Sequence, residues 1–162
     1  MHILPILQMM MLLTLANGAP VVAKKICGSR FSVPLDFGVT FFDRRPVFGS
    51  SKTIRGIVVS VTVTAACAPL IGLTTTIGAM AAGAAMAGDL FSSFLKRRLV
   101  QSPSSQALGI DQIPESLLPM LVCRDALQLT AVDIVLGVGM FFAAEIVLSR
   151  LLFRLHLRDE PY

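Results

Sequence analysis

The chain has 162 residues, of which 54% are hydrophobic and only 15% charged. That is too apolar for an ordinary soluble domain of this size. Its mean hydropathy of +0.75 is concentrated in runs close to the ~20 residues that a bilayer-spanning helix needs. The net charge is +4, with a pI near 9.3. The basic residues lie in loops between apolar runs. Anionic lipid and phosphate-bearing molecules are therefore the expected partners, and nucleic acid is not. Cys27, Cys67 and Cys123 form no C-x-x-C pair and read as free thiols. His2 and His156 lie at opposite ends, which argues against a Ser-His-Asp or two-histidine metal site.

The first apolar run covers residues 3–23 and is followed by Lys24 and Lys25. No basic residue precedes it, so it reads as a retained span and not a signal peptide. Asn17, Gly18 and Pro20 predict an irregular end near polar partners. Residues 24–55 form the longest polar segment, with Lys24, Lys25, Arg30, Arg44, Arg45, Lys52 and Arg55. The second span covers 56–73 and is rich in Val and Thr. The third, 77–98, starts with Gly, Ala and Met, small residues that let helices approach closely and predict a central position. A polar loop with Ser102, Pro103, Ser104 and Ser105 follows. The fourth span, 113–130, carries Pro114, Glu115, Pro119, Arg124 and Asp125. The fifth, 131–153, carries Asp133 and Glu145.

The pattern predicts an all-α polytopic bundle of about five spans, forming one domain over residues 1–162. With five spans, loops 24–55 and 96–112 and the C-terminus share one face. Of the 14 Lys and Arg residues, only Arg124 lies away from it. The positive-inside rule makes that face cytoplasmic and the N-terminus external, in a multi-pass protein of the cytoplasmic (inner) membrane.

Three segments on that face carry chemistry. In the run from Gly88 to Arg98, Asp89, Ser92 or Ser93, and Lys96 recur at helical spacing as a polar stripe roughly 10 Å long. The plain alternative is a basic membrane anchor, Lys96-Arg97-Arg98, with Asp89 as a paired acid. The second run is Phe42 to Gly56, where Gly49, Ser50, Ser51, Lys52, Thr53 and Arg55 precede a helix start, a setting suited to phosphate. It lacks the glycines of a Walker A loop. The third is Gly109-Ile110-Asp111-Gln112, by itself an ordinary helix cap. Together they place two carboxylates, hydroxyls and several cations at one face. Carboxylates with a phosphate substrate suggest Mg²⁺. No Cys, His or Ser nucleophile is evident, so one substrate would attack the other directly.

These segments resemble the CDP-archaeol synthase family, CTP-dependent membrane enzymes related to the phosphatidate cytidylyltransferases. Asp43, Arg44, Arg45, Gly49, Lys52, Thr53, Arg55 and Gly56 match the family's first motif. Gly88, Asp89, Leu90, Ser93, Phe94, Lys96, Arg97 and Arg98 match its second, and Asp111 and Gln112 its third. Asn17, Gly18 and Pro20 match a pattern in helix one. Pro114 and Glu115 stand where the archaeal pattern has an acidic and aromatic pair, and the chain looks like a bacterial-type member.

The resemblance implies that CTP and a membrane lipid phosphate react to give a CDP-lipid and pyrophosphate. It implies Asp89 and Asp111 as ligands of Mg²⁺, and Asp89, Lys96 and Asp111 as the catalytic group. Asp43, Lys52, Thr53, Arg55, Ser93, Arg97, Arg98 and Gln112 would bind the substrates. The acceptor is open between an isoprenoid ether lipid and another phospholipid precursor. A homodimer is compatible with this arrangement. A different class, a small transporter or assembly subunit, would instead use Arg124, Asp125, Asp133 and Glu145 to line a polar path.

Overall fold

The N-terminal apolar run folds as a single helix, α1 (Ile3–Cys27). It belongs to a computed structural model that describes residues 2–101 and 109–154, with side chains as far as residue 147. The serine-rich stretch 102–105 and the side chains of Arg150, Arg154 and Arg158 lie outside it. The irregular end expected near Asn17, Gly18 and Pro20 does not form, because a second helix supplies what Pro20 lacks. Pro20 has no N–H for the Ala16 carbonyl one turn back. The buried Ser60 hydroxyl donates to that oxygen at 2.8 Å. Without water, such a substitute donor is what lets the helix continue. Gly28 ends α1 with φ of 54°, and its N–H reaches the Lys24 carbonyl.

A long loop, 28–53, leads to α2 (Ile54–Cys67). The Thr53 hydroxyl accepts the Gly56 N–H at 3.1 Å and opens the helix. A 3-10 turn, Ala68–Ile71, extends α2, and Gly72 closes it in the left-handed region with φ of 78°. The next helix, α3 (Thr75–Arg98), starts at a second threonine cap, Thr74.

Helix α3 is central, as its small residues predict. It packs against α1, α2 and α4, and it buries Gly78, Ala81, Ala82, Ala85 and Gly88. A Cβ on Gly78 would lie 2.7 Å from the Ala68 Cβ and 2.8 Å from the Thr64 carbonyl oxygen. A Cβ on Gly88 would lie 2.3 Å from the Pro114 carbonyl oxygen and 2.8 Å from the Glu115 Cα. Both crossings therefore depend on bare backbone.

Helix α4 (Gln112–Val122) corrects the expected fourth span. Its 11 residues cover about 16 Å, well short of a hydrocarbon core of about 30 Å. Pro119 removes a backbone donor inside it. The chain then turns through 123–128, leaving Arg124 and Asp125 exposed. Helix α5 (Ala131–Arg154) opens with a reciprocal cap. The Asp133 N–H donates to the Thr130 hydroxyl at 3.2 Å, and the Thr130 N–H donates to Asp133 Oδ2 at 3.0 Å. The His2 N–H also donates to Asp133, at 3.0 Å. Asp133 is thus a buried capping residue.

The described residues form five helices and no strand, only two isolated bridges, Pro34 with Thr53 and Thr40 with Pro46. Among them, three helical segments are long and apolar enough to cross a membrane: Ile3–Cys27, Ile54–Ile71 and Thr75–Arg98.

Two α3 glycines give a direct test of the packing. Gly88→Ala must separate α3 from α4 and is expected to cost about 3 kcal/mol. Gly83, with nothing within 4 Å of an added Cβ, should tolerate alanine or gain up to about 1 kcal/mol. Thermal unfolding of the two variants in detergent checks the contrast, and equal midpoints would contradict it.

Candidate active site

The residues of the three motifs meet where the loop 28–53, the C-terminal half of α3 and the first turn of α4 come together. The Gly88 contact brings about the last of these approaches. It sets Asp111, Gln112 and Glu115 beside the α3 turn that carries Asp89. Lysines then reach carboxylates from two directions.

From the loop, Lys52 Nζ donates to both oxygens of Asp89 at 2.6 Å. From α3, Lys96 Nζ lies 2.7 Å from Asp111 Oδ1. Asp111 holds the N-cap position of α4, yet its side chain makes no capping hydrogen bond. Its carboxylate is turned to Lys96 instead. Burial disfavours the charge on Lys52. The Asp89 carboxylate outweighs that by charge and hydrogen bond, with Glu115 and Asp111 adding to it, and raises the Lys52 pKa above its usual 10.5. Lys52 is therefore a cation at any physiological pH.

Other motif residues surround this pair of ion pairs. Ser92 and Ser93 are buried, and the Ser92 hydroxyl is spent on the Gly88 carbonyl at 2.7 Å. That leaves Ser93 as the hydroxyl of the stripe. Arg97 is 4% exposed and lies in the field of Asp111. Gln112 is fully buried. Its Oε1 accepts the Gly109 N–H at 2.8 Å, while its Nε2 has no hydrogen-bond partner among the described residues. A buried amide donor left without an acceptor is costly. It marks a place where an acceptor-bearing ligand would fit.

The remaining motif residues are engaged elsewhere. Arg98 acts as a clamp between α3 and the loop. It donates to Asp43 Oδ1 at 2.7 Å and to the Pro46 carbonyl at 2.7 Å, and it stacks over Phe41 and Phe94. Arg45 returns the contact, donating to the Arg98 carbonyl at 3.0 Å. Arg55 donates to the carbonyls of Gly28 and Arg30, where the chain leaves α1. Thr53 caps α2. Asp43, Thr53, Arg55 and Arg98 are therefore used to build and fasten the loop.

Two acidic residues join the site without a motif to announce them. Glu115 is buried on α4, in the combined field of Asp89, Glu145, Lys52 and Asp111. Its spacing of four from Asp111 puts both on one helix face and is the signal that could have found it. Asp36 is buried in the loop and takes the N–H groups of Gly38, Phe48 and Gly49. Nothing in its local sequence marks it. Among the described residues, no three His, Cys, Asp or Glu side chains stand close enough to enclose a metal by themselves.

Known proteins resemble this chain. A CDP-archaeol synthase of Pyrobaculum calidifontis is 35% identical over 116 residues, 66% of this chain and 66% of that one. That of Pyrococcus furiosus is 37% identical over 107 residues, 60% of each. That of Pyrobaculum islandicum is 29% identical over 156 residues, 91% of each. The aligned stretch thus spans just under two thirds of the first of these relatives. A solved structure, described as an intramembrane enzyme for archaeal membrane lipids biosynthesis, superposes with a TM-score of 0.69 at 26% identity. It covers 84% of this chain and 89% of that one. The chain shares its helical membrane fold with that intramembrane enzyme. A family model described as CarS-like, CDP-archaeol synthase, matches residues 2–162, and the chain belongs to the CDP-archaeol synthase family.

The loop makes a pH test available. Burial works against the charge on Asp36, but its three backbone hydrogen bonds outweigh burial and hold its pKa below the usual 3.8. The stabilisation is complete above the unfolded value and disappears as pH falls through the lower folded one. Cleavage of the wild-type protein within residues 36–49 by an acid-active protease should be slow above pH 3.8 and rise as the pH is lowered below it. Asp36→Asn should be cut readily across the whole range. A wild-type cleavage rate above pH 3.8 equal to that of Asp36→Asn would refute the assignment.

Proposed function

We propose that this protein is a CTP-dependent cytidylyltransferase that converts a membrane lipid phosphate into a CDP-lipid and releases pyrophosphate. The observation that carries the reading is the pairing of Lys52 with Asp89 and of Lys96 with Asp111, in segments that resemble the family's motifs. Its relatives bear the name CDP-archaeol synthase. The lipid would accordingly be archaeol-like, with diacyl phosphates as the alternative to be tested.

The donor set fits a divalent cation. Mg²⁺ binds through one or two protein carboxylates together with phosphate oxygens and water. Asp89 and Asp111 offer those carboxylates beside two lysines that phosphate oxygens would attract. When bound, the cation would neutralise charge on the CTP phosphates. Lys96 and the buried Arg97 would hold the triphosphate and then the departing pyrophosphate. Lys52, at the loop side of Asp89, would meet the incoming lipid phosphate or the triphosphate. Ser93 and the unpartnered Gln112 amide would orient phosphate or base oxygens. The lipid phosphate oxygen attacks the α-phosphorus of CTP, a P–O bond forms there, and the bond to the β-phosphate oxygen breaks. No covalent enzyme intermediate is needed. Asp43, Thr53, Arg55 and Arg98 contribute by holding the loop that carries Lys52.

The arrangement would be a single integral-membrane domain whose long apolar helices cross the bilayer while α4 reaches only part of the way. The loop 28–53 faces the cytoplasm, where the positive-inside rule puts Lys24, Lys25 and Lys96 to Arg98. The site would draw CTP from the cytoplasm and lipid from the inner membrane. A homodimer is compatible with it. Nothing favours the transporter alternative: Asp133 is a helix cap, Arg124 and Asp125 are exposed in a turn, and Glu145 lies in the field of Glu115.

The decisive assay supplies labelled CTP, Mg²⁺ and a panel of isoprenoid-ether and diacyl lipid phosphates to the purified protein. A CDP-lipid should form with at least one, EDTA should stop it, and Asp89→Asn should reduce the rate by about a hundredfold or more. Absence of product across the panel would overturn the function. An undiminished rate in Asp89→Asn would overturn the site.

A further inference from the structure

We propose that Asp36 is the positioning residue that holds Lys52 against Asp89. The proposal rests on Lys52 serving the phosphate site described above.

Lys52 carries its charge on a long flexible stem, so the place of Nζ depends on how firmly its backbone is held. Both polar backbone groups of Lys52 are bound. Its carbonyl accepts the Leu35 N–H at 2.8 Å, and its own N–H donates to the Gly49 carbonyl at 3.2 Å. One residue further, Thr53 pairs with Pro34, and Ile54 N–H reaches the Val33 carbonyl at 3.1 Å. Two segments thus grip Lys52, one ending at Leu35 and the other at Gly49.

Asp36 joins those two segments. It follows Leu35 directly, and its Oδ2 accepts the N–H groups of Phe48 at 3.0 Å and Gly49 at 2.8 Å. Its Oδ1 accepts the Gly38 N–H at 3.1 Å. All three partners are donors, and the carboxylate is buried. Its oxygens are therefore committed to the loop and not presented to a substrate. Only a group with two acceptor oxygens satisfies this site. An asparagine would aim its own N–H₂ at one set of donors, losing either Gly38 or the Phe48 and Gly49 pair. Gly49 and Gly38 have φ of 92° and 77°, which the turn around the carboxylate requires.

Two measurements on the full-length protein test the idea. In the first, acetic anhydride labels lysines and mass spectrometry reads each site. Lys52 should be protected in the wild type and labelled several-fold faster in Asp36→Asn, while Lys24, Lys25 and Lys96 keep their wild-type rates. Unchanged labelling of Lys52 would overturn the proposal. So would a general rise at Lys96 as well, since that marks global loosening. This arm needs no turnover and stands even if the cytidylyltransferase reading fails. In the second, the rate of CDP-lipid formation is compared for Asp36→Asn, Lys52→Met and the double variant. The Asp36→Asn change should lower kcat/KM by about tenfold alone and add nothing once Lys52 is gone. An additive loss in the double variant would show that Asp36 acts by another route. If wild-type protein forms no CDP-lipid, the function fails and the labelling result alone decides the role of Asp36.

Discussion

At Gly88 the backbone of α3 meets the first turn of α4 with no space for a side chain, and the candidate site depends on that contact. Helix α4 is too short to find its place by spanning the bilayer. It is located by this approach and by the α4–α5 turn. Because the contact falls at the start of α4, Asp111, Gln112 and Glu115 come to lie beside Asp89 and Lys96. Charged groups at this depth need partners. The low dielectric that makes an isolated carboxylate costly also strengthens each Lys–Asp pair. The short helix and the ion pairs are thus mutually dependent.

The basic residues divide into two groups by what they touch. Lys52 faces Asp89 and Lys96 faces Asp111 at hydrogen-bond distance. Such a pair can exchange partners when phosphate oxygens and a cation arrive together, with little change in net charge. Arg55 and Arg98 instead bind backbone carbonyls, where no substrate competes. Arginine suits this second task, because its planar fork reaches several acceptors at once. The flat face of Arg98 also stacks on Phe41 and Phe94. The basic residues therefore divide into scaffold, for Arg55 and Arg98, and a carboxylate-paired group, Lys52 and Lys96, to which the proposed function gives the phosphates.

The loop 28–53 is ordered without regular structure of its own. A membrane-facing enzyme needs a polar wall over its site, and a strand or helix there would have to bury an apolar face. Here a single buried carboxylate, two isolated bridges and a set of capping side chains replace it. Such a loop has a rigid base at Lys52 while its outer residues, among them Phe42, remain exposed.

Hydropathy and composition were enough to specify helices in a membrane and the central place of the Gly/Ala helix. Both follow from local chemistry: apolar length and small-residue runs. The motif residues were legible for the same reason, since Asp89, Ser93 and Lys96 share a helical stripe and Asp111-Gln112 precede a helix. Three things were decided only by the tertiary structure. Ser60 donates to Ala16 across 44 positions and carries α1 past Pro20, and no local pattern predicts such a partner. Helix α4 ends at Val122, because its place is set by Gly88 and not by bilayer thickness. Asp36 and Glu115 became part of the site through contacts with distant backbone and distant charge, whereas Arg55 and Arg98 were drawn from substrate to scaffold. Sequence states which groups exist and which share a local face, but long-range packing determines which of them meet.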